Sequence, residues 1–206
     1  VMLVIGLTGS IGMGKSTAAQ RFRERGIAVF DADGEVHRLY AGPLSEEIKN
    51  AFPGTTHDGK VDRVALSAAL LKSPERFKDL EAIVHPRVRA SERQFLQAEH
   101  ARGAEMAVLE VPLLFEAGGD SAVDVKIVVT TTREIQRQRV LERPGMTAEK
   151  FATVVARQLP EDQKRARADY IVDTGETVEN CHRQIDLIIA KIRARNGEAF
   201  DRYWRN

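Results

Sequence analysis

The string Gly9-Ser10-Ile11-Gly12-Met13-Gly14-Lys15-Ser16, followed by Thr17, leaves this chain few folds to choose from. Its pattern, G-x-x-x-x-G-K-[ST], is that of a loop whose backbone N–H groups close around phosphate oxygens. Such a loop needs a strand before it and a helix after it. Leu3-Val4-Ile5-Gly6-Leu7 is a short apolar run in the first position, and the stretch from Ala18 to Arg23 has helical spacing in the second. Glycines let the backbone turn its amides inward, and the new helix adds the positive end of its dipole. Lys15 can reach the β- and γ-phosphates, and the Ser16 hydroxyl can ligate Mg²⁺. Gly12, Met13, Gly14, Lys15, Ser16 and Thr17 are therefore the expected binding segment for a nucleoside triphosphate.

The rest of the chain alternates between strand-like and helix-like segments. Ile27 to Phe30 reads as a strand ending in Asp31-Ala32-Asp33. Met106 to Val111 reads as a buried strand stopped by Pro112, Val123 to Val129 as another, and Tyr170 to Val172 as a short last one. A final amphipathic helix is expected over about 178–195, with Ile185, Ile188, Ile189 and Ile192 on one side. This order predicts an α/β, P-loop NTPase fold: a doubly wound parallel sheet of about five strands, with ligands at the strands' carboxyl ends. The stretch 34–101 reads as mostly helical and too long for a simple crossover, so it is expected to be an inserted acceptor subdomain. Residues 131–167, rich in arginine and broken at Pro144-Gly145 and at Pro160, are expected to form a helical lid. The whole, residues 1–206, reads as one kinase domain.

Composition narrows the function. With 31 basic and 30 acidic residues the net charge is +1, against a general nucleic-acid binder. The single cysteine, Cys181, permits no intrachain disulfide and reads as a small buried side chain. No Cys/His spacing suits a metal. The apolar start is too short to span a bilayer and lacks a basic flank, so no membrane contact and a cytoplasmic location are expected. A monomer is the expected state.

Two classes of phosphate-loop protein compete. Asp31-Ala32-Asp33-Gly34 contains D-x-x-G, used in nucleotide switches, but it follows the first helix directly and no N-K-x-D for guanine is present. A phosphotransferase makes better use of these carboxylates. At a strand end Asp31 and Asp33 point to the same side, and Asp33 reaches further toward an acceptor hydroxyl whose proton it can take. The competing reading is that either residue caps the next helix. In the basic cluster from Arg133 to Arg167, most side chains suit solvated helix faces with local ion pairs. Arg143, just before the Pro144-Gly145 break, and Arg139 one turn earlier are the two expected to close on the triphosphate. Glu110 suits either the outer shell of Mg²⁺ or a buried structural role.

Beyond these motifs the chain resembles the dephospho-CoA kinase family over its whole length. The likeness lies in Gly6 to Thr17; in Phe30-Asp31-Ala32-Asp33 with Arg38; in Asp58-Gly59, Asp62-Arg63 and Leu66; and in Leu80-Glu81-Ala82-Ile83-Val84-His85-Pro86. It continues in Val111-Pro112-Leu113-Leu114-Phe115-Glu116, in Gln136, Arg139, Arg143 and Gln158, and in Ala168-Asp169 with Val172-Asp173. The resemblance implies transfer of the γ-phosphate of ATP to the ribose 3′-hydroxyl of dephospho-CoA, with Mg²⁺, in the last step of coenzyme A synthesis. It implies that Asp33, Lys15 and Arg143 act in catalysis, and that Gly12 to Thr17 with Arg139 hold ATP. It further implies that Asp33, His85, Arg87, Leu114 and Glu116 meet the acceptor. From the residues alone, His85 is expected at a helix break before Pro86, aimed at a ligand or capping the turn. Leu113, Leu114 and Phe115 suit a pocket wall or a packed loop, and Glu116 the acceptor or the structure. Thr174 stands where the family usually has Asn, which bears on a contact to adenine. The alternative is another small-molecule kinase of the shikimate or nucleoside monophosphate type, and a non-enzymatic nucleotide-dependent regulator is a third.

Overall fold

The structure is a computed structural model and describes residues 1–206. In chain order its strands are β1 (Leu3–Thr8), β2 (Ala28–Asp31), β3 (Thr56–His57), β4 (Lys60–Val61), β5 (Met106–Glu110), β6 (Val125–Thr130) and β7 (Tyr170–Asp173). The helices are α1 (Lys15–Glu24), α2 (Ala32–Tyr40), α3 (Ser45–Ala51), α4 (Arg63–Lys72), α5 (Phe77–Ala101), α6 (Arg133–Leu141), α7 (Ala148–Ala156), α8 (Glu161–Arg167) and α9 (Val178–Ile192). The chain divides into two compact units, one made of residues 1–30 and 95–206 and the other of residues 31–94.

The first unit is built on a five-stranded sheet in the order β2-β5-β1-β6-β7. β1 lies parallel between β5 and β6, with Leu3 opposite Met106 and Ile5 opposite Val125. Every residue of β1 and of β5 is buried, as expected of parallel strands covered on both faces. The period of two along β1 sorts its side chains into two layers. Leu3, Ile5 and Leu7 join Phe22 of α1 and Cys181, Ile185, Ile188, Ile189 and Ile192 of α9 in one layer. Met2 and Val4 join Leu96, Leu109, Leu114, Val123, Phe200 and Trp204 in the other. The helix that follows the phosphate loop is also tied by charge. Arg21 of α1 grips Asp186 of α9 through two hydrogen bonds of 2.9 and 2.7 Å, and the Arg25 Nε adds one of 2.8 Å. Arg25 and Arg21 together hold the Asp186 carboxyl below the usual carboxylate range.

The second unit buries Leu39, Tyr40, Leu44, Ile48, Phe52, Leu66, Leu70, Val84 and Val88. It is not purely helical. β3 and β4 pair antiparallel around Asp58-Gly59, both at positive φ (50° and 72°). Asp-Gly is a strong hairpin turn because a type I′ turn needs two left-handed residues. Two-residue strands are too short to show a period in the sequence, which reads as mostly helical over 34–101.

The expected helix break at His85-Pro86 does not occur. α5 runs unbroken through Pro86. Pro removes one backbone donor and crowds the preceding turn, but Val84, Val88, Glu92 and Leu96 recur every four residues and all are buried. A stripe of that length outweighs the loss of one bond. Glu92 within it is pushed up to about 7 by burial, with Arg89 acting against the shift.

The C-terminal segment holds a feature the sequence reading missed. Phe200–Trp204 forms a short helical turn, and Trp204 is fully buried. Its indole N–H donates to the Ala122 carbonyl at 2.8 Å. The Asp124 carboxylate accepts from the amides of Glu198 (2.7 Å), Ala199 (2.9 Å) and Val4 (2.8 Å), stitching this segment to β1. No helix is long and apolar enough to cross a membrane. Trp204→Ala should cost about 3–5 kcal/mol of stability, measured as a lower urea midpoint with an unchanged slope; a shift within error would show that the tail contributes nothing to the core.

Candidate active site

At the end of β1 the chain leaves the sheet and curls through Gly9 to Gly14 before α1 begins. Gly14 is the residue before the helix and is left-handed (φ 87°), and a Cβ there would meet the Thr174 hydroxyl at 3.0 Å. Gly12 is also left-handed (φ 76°), and a Cβ there would lie 2.6 Å from Val140 Cγ2. Both positions need glycine for conformation and for room.

The outer face of this loop is braced residue by residue. The Ile11 amide donates to Gln158 Oε1 at 3.3 Å, and Gln136 Nε2 donates to the Ile11 carbonyl at 2.9 Å. The Thr174 hydroxyl donates to the Met13 carbonyl at 2.5 Å. Arg139 donates to the Thr174 hydroxyl (3.2 Å) and carbonyl (2.7 Å) and reaches the Gly12 carbonyl at 3.5 Å. Lys164 Nζ donates to Ser10 Oγ at 3.0 Å. Met13 faces inward: its side chain is in the core, its amide donates to the Ser10 carbonyl at 3.1 Å, and its sulfur accepts from the Thr131 amide.

The inner face opens on a cleft of about 310 Å³ lined by Gly12, Gly14, Ser16, Thr17, Arg139 and Arg143, with Thr174, Glu176, Thr177, Val178 and Cys181 on its other side. The Lys15, Ser16 and Arg143 side chains make no hydrogen bond or ion pair within the protein. Arg143 is exposed and Lys15 half-buried. Cys181 is 1% exposed and burial pushes its thiol up, so it offers no thiolate. No group of three or more His, Cys, Asp or Glu is placed to hold a metal. The Ser16 hydroxyl, exposed at the start of α1, is an oxygen that a hard cation such as Mg²⁺ could take as a ligand.

The remaining expected site residues divide. Leu114 is 2% exposed in the second core layer, where a Cβ on Gly6 would lie 2.7 Å from its Cδ2. It packs β1 and presents no surface to an acceptor, which corrects the sequence reading. Phe115 is buried too, under the Arg167 guanidinium at 4.6 Å. Glu116 turns its Oε2 to the Leu159 amide (2.8 Å) and to Lys164 Nζ (3.3 Å), so it is engaged within this unit. Glu110 is buried on β5 and faces Arg23 at 3.9 Å. Thr174 is occupied with the phosphate loop.

In the unit of residues 31–94, Asp31 caps α2 by accepting from the Gly34 amide at 3.0 Å. Asp33 lies in the first turn, exposed and without a hydrogen bond or ion pair. His85 is exposed on α5, and Arg87 pairs with Glu47 at 2.7 Å. His37 bonds Arg63 at 2.7 Å and His57 lies 3.6 Å from Asp62, contacts no sequence pattern announced. Lys164 and Ser10 were also missed: one sits in a basic run, the other at a free position of the loop motif.

The comparisons agree with this architecture. The family model described as dephospho-CoA kinase matches residues 3–180. A dephospho-CoA kinase of Rhizobium meliloti is 51% identical over 193 residues, covering 94% of this chain and 100% of that protein. One of Mesorhizobium japonicum is 50% identical over 196 residues, covering 95% and 100%. Among solved structures, TT1252 from Thermus thermophilus superposes with a TM-score of 0.76 at 35% identity, covering 93% of this chain and 98% of that one. With the phosphate loop, its braces and its cleft, these likenesses place the chain in the dephospho-CoA kinase family.

Proposed function

We infer that this protein transfers the γ-phosphate of ATP to the ribose 3′-hydroxyl of dephospho-CoA, releasing ADP and coenzyme A. The observation that carries the reading is a braced phosphate loop whose Gly12, Gly14, Ser16 and Thr17 line one cleft with Arg143, in a chain half identical to dephospho-CoA kinases. That identity favours this acceptor over the shikimate or nucleoside monophosphate alternative.

The roles follow from chemistry. The Gly12, Gly14, Lys15, Ser16 and Thr17 segment receives the triphosphate, its amides and the start of α1 facing the anion. Lys15 and Arg143 meet the charge that builds on the transferred group. Ser16 would hold Mg²⁺ through its hydroxyl, and the ion would supply positive charge against the phosphates. Asp33 takes the proton as the 3′-oxygen attacks phosphorus and the bond to the bridging oxygen of ADP breaks. Transfer is direct and in line, because the cleft holds no activated nucleophile. The unit of residues 31–94 is the acceptor's, with His85 and Arg87 among the residues that meet it. The protein acts as a cytoplasmic monomer without nucleic acid or membrane. Balanced charge supports the exclusion of nucleic acid.

Coupled ADP release with and without dephospho-CoA, with the product weighed by mass spectrometry, tests the reaction; turnover with shikimate or a nucleoside monophosphate instead would move the assignment. Lys15→Ala should lower kcat/KM about 10²–10³-fold in a folded protein. Asp33→Asn should cut kcat about 10²–10⁴-fold while ATP affinity holds; unchanged turnover would remove it as the base. Arg143→Ala should lower kcat with no change in melting temperature, whereas a folding defect would assign it to structure.

A further inference from the structure

Lys164 is the only lysine or arginine that is buried, and its exposure is 0%. Taking an ammonium out of water costs several kcal/mol unless it is paired, so its partners matter. They come from two separate parts of the chain. Nζ donates to Ser10 Oγ of the phosphate loop at 3.0 Å and lies 3.3 Å from Oε2 of Glu116, in the loop after β5. Ser10 Oγ in turn donates to Oε2 of Glu161, one turn before Lys164 on α8, at 3.3 Å. Gln158, just ahead of α8, holds the next loop residue through the Ile11 amide. Glu116 and Glu161 each keep their Oε1 buried without a partner. The carboxylates thus offer more acceptors than the ammonium and the hydroxyl use.

We propose that Lys164 is a positioning residue for the phosphate loop: from the base of the lid it holds Ser10, and through it the curl that takes the triphosphate, with Glu116 and Glu161 as counter-charges. This rests on the reading of that loop as the ATP site. It gives Glu116 a different task from contact with the acceptor. Ser10 is the hinge of the argument because it both accepts from Lys164 and donates to Glu161. Losing either Lys164 or the Ser10 hydroxyl frees the start of the loop from α8, so both losses act on ATP and neither acts on the acceptor.

The test compares Lys164→Met, Ser10→Ala and the double variant in the full chain, by KM for ATP, KM for dephospho-CoA, kcat and melting temperature. Each single variant should raise KM for ATP about tenfold or more, the worth of a hydrogen bond to a charged group. KM for dephospho-CoA should stay within about twofold, and the double variant should be no worse than Lys164→Met. If Lys164→Met does not fold, Ser10→Ala decides, since it leaves the Lys164–Glu116 pair in place. A Ser10→Ala enzyme with the parent's KM for ATP overturns the proposal, as does a Lys164→Met enzyme that melts earlier but binds ATP normally. Lys15→Ala separates this from the parent reading: if it abolishes ATP binding while the other two variants behave as parent, only the positioning role fails. If Lys15→Ala binds ATP normally, the assignment of the loop itself fails.

Discussion

A loop that turns its amides toward a phosphate cannot satisfy its remaining polar groups by itself, and buried backbone groups do not go without partners. That constraint organises the first unit of this protein. Residues 10–13 take their partners from four places in the chain: Lys164 and Glu161 at Ser10, Gln136 and Gln158 at Ile11, Arg139 at Gly12, and Thr174 at Met13. The loop is therefore a product of segments more than a hundred residues downstream. The sheet brings those segments near, because β6 lies directly beside β1 and β7 beside β6, so that the turns leaving β6 and β7 come to the end of the strand that feeds the loop.

The sheet was the most legible part of the chain. Apolar runs such as Met106 to Leu109 and Ile127 to Val129 mark strands buried on both faces, and the isoleucines of α9 mark the helix that covers one of those faces. The phosphate loop was legible for a different reason: its glycines answer to steric needs visible in the pattern alone. Gly12 and Gly14 hold positive φ and would collide with Val140 and Thr174 if they carried a Cβ.

What stayed hidden depends on contacts that have no local signature. Pro86 is a helix breaker by any local rule, and only the buried stripe on α5 shows why the helix continues. Leu114 belongs to an apolar trio that suits a pocket or a core equally well, and its contact with Gly6 decides for the core. Trp204 follows a polar stretch at the chain's end, so nothing nearby announces that it fills the second layer. Thr174 looked like a change at the adenine, yet its short side chain reaches the Met13 carbonyl and takes a bond from Arg139. Local pattern records propensity and period; it does not record which distant residue fills a gap.

The cations around the loop fall into two kinds, and the distinction has a physical basis. Arg139 and Lys164 are fixed: one gives bonds to Thr174 and Gly12, the other to Ser10 and Glu116. Lys15 and Arg143 have no partner in the protein. A cation held by protein acceptors in a dry site is a poor responder to a moving charge, because its bonds are already made and breaking them leaves a buried group unpaired. A cation without such bonds can swing toward a phosphoryl group as its charge redistributes. Holding the loop and following the transferred group therefore call for different side chains. Arg139 and Arg143 stand one turn apart and both line the cleft, yet only Arg139 is bonded to the loop and to Thr174.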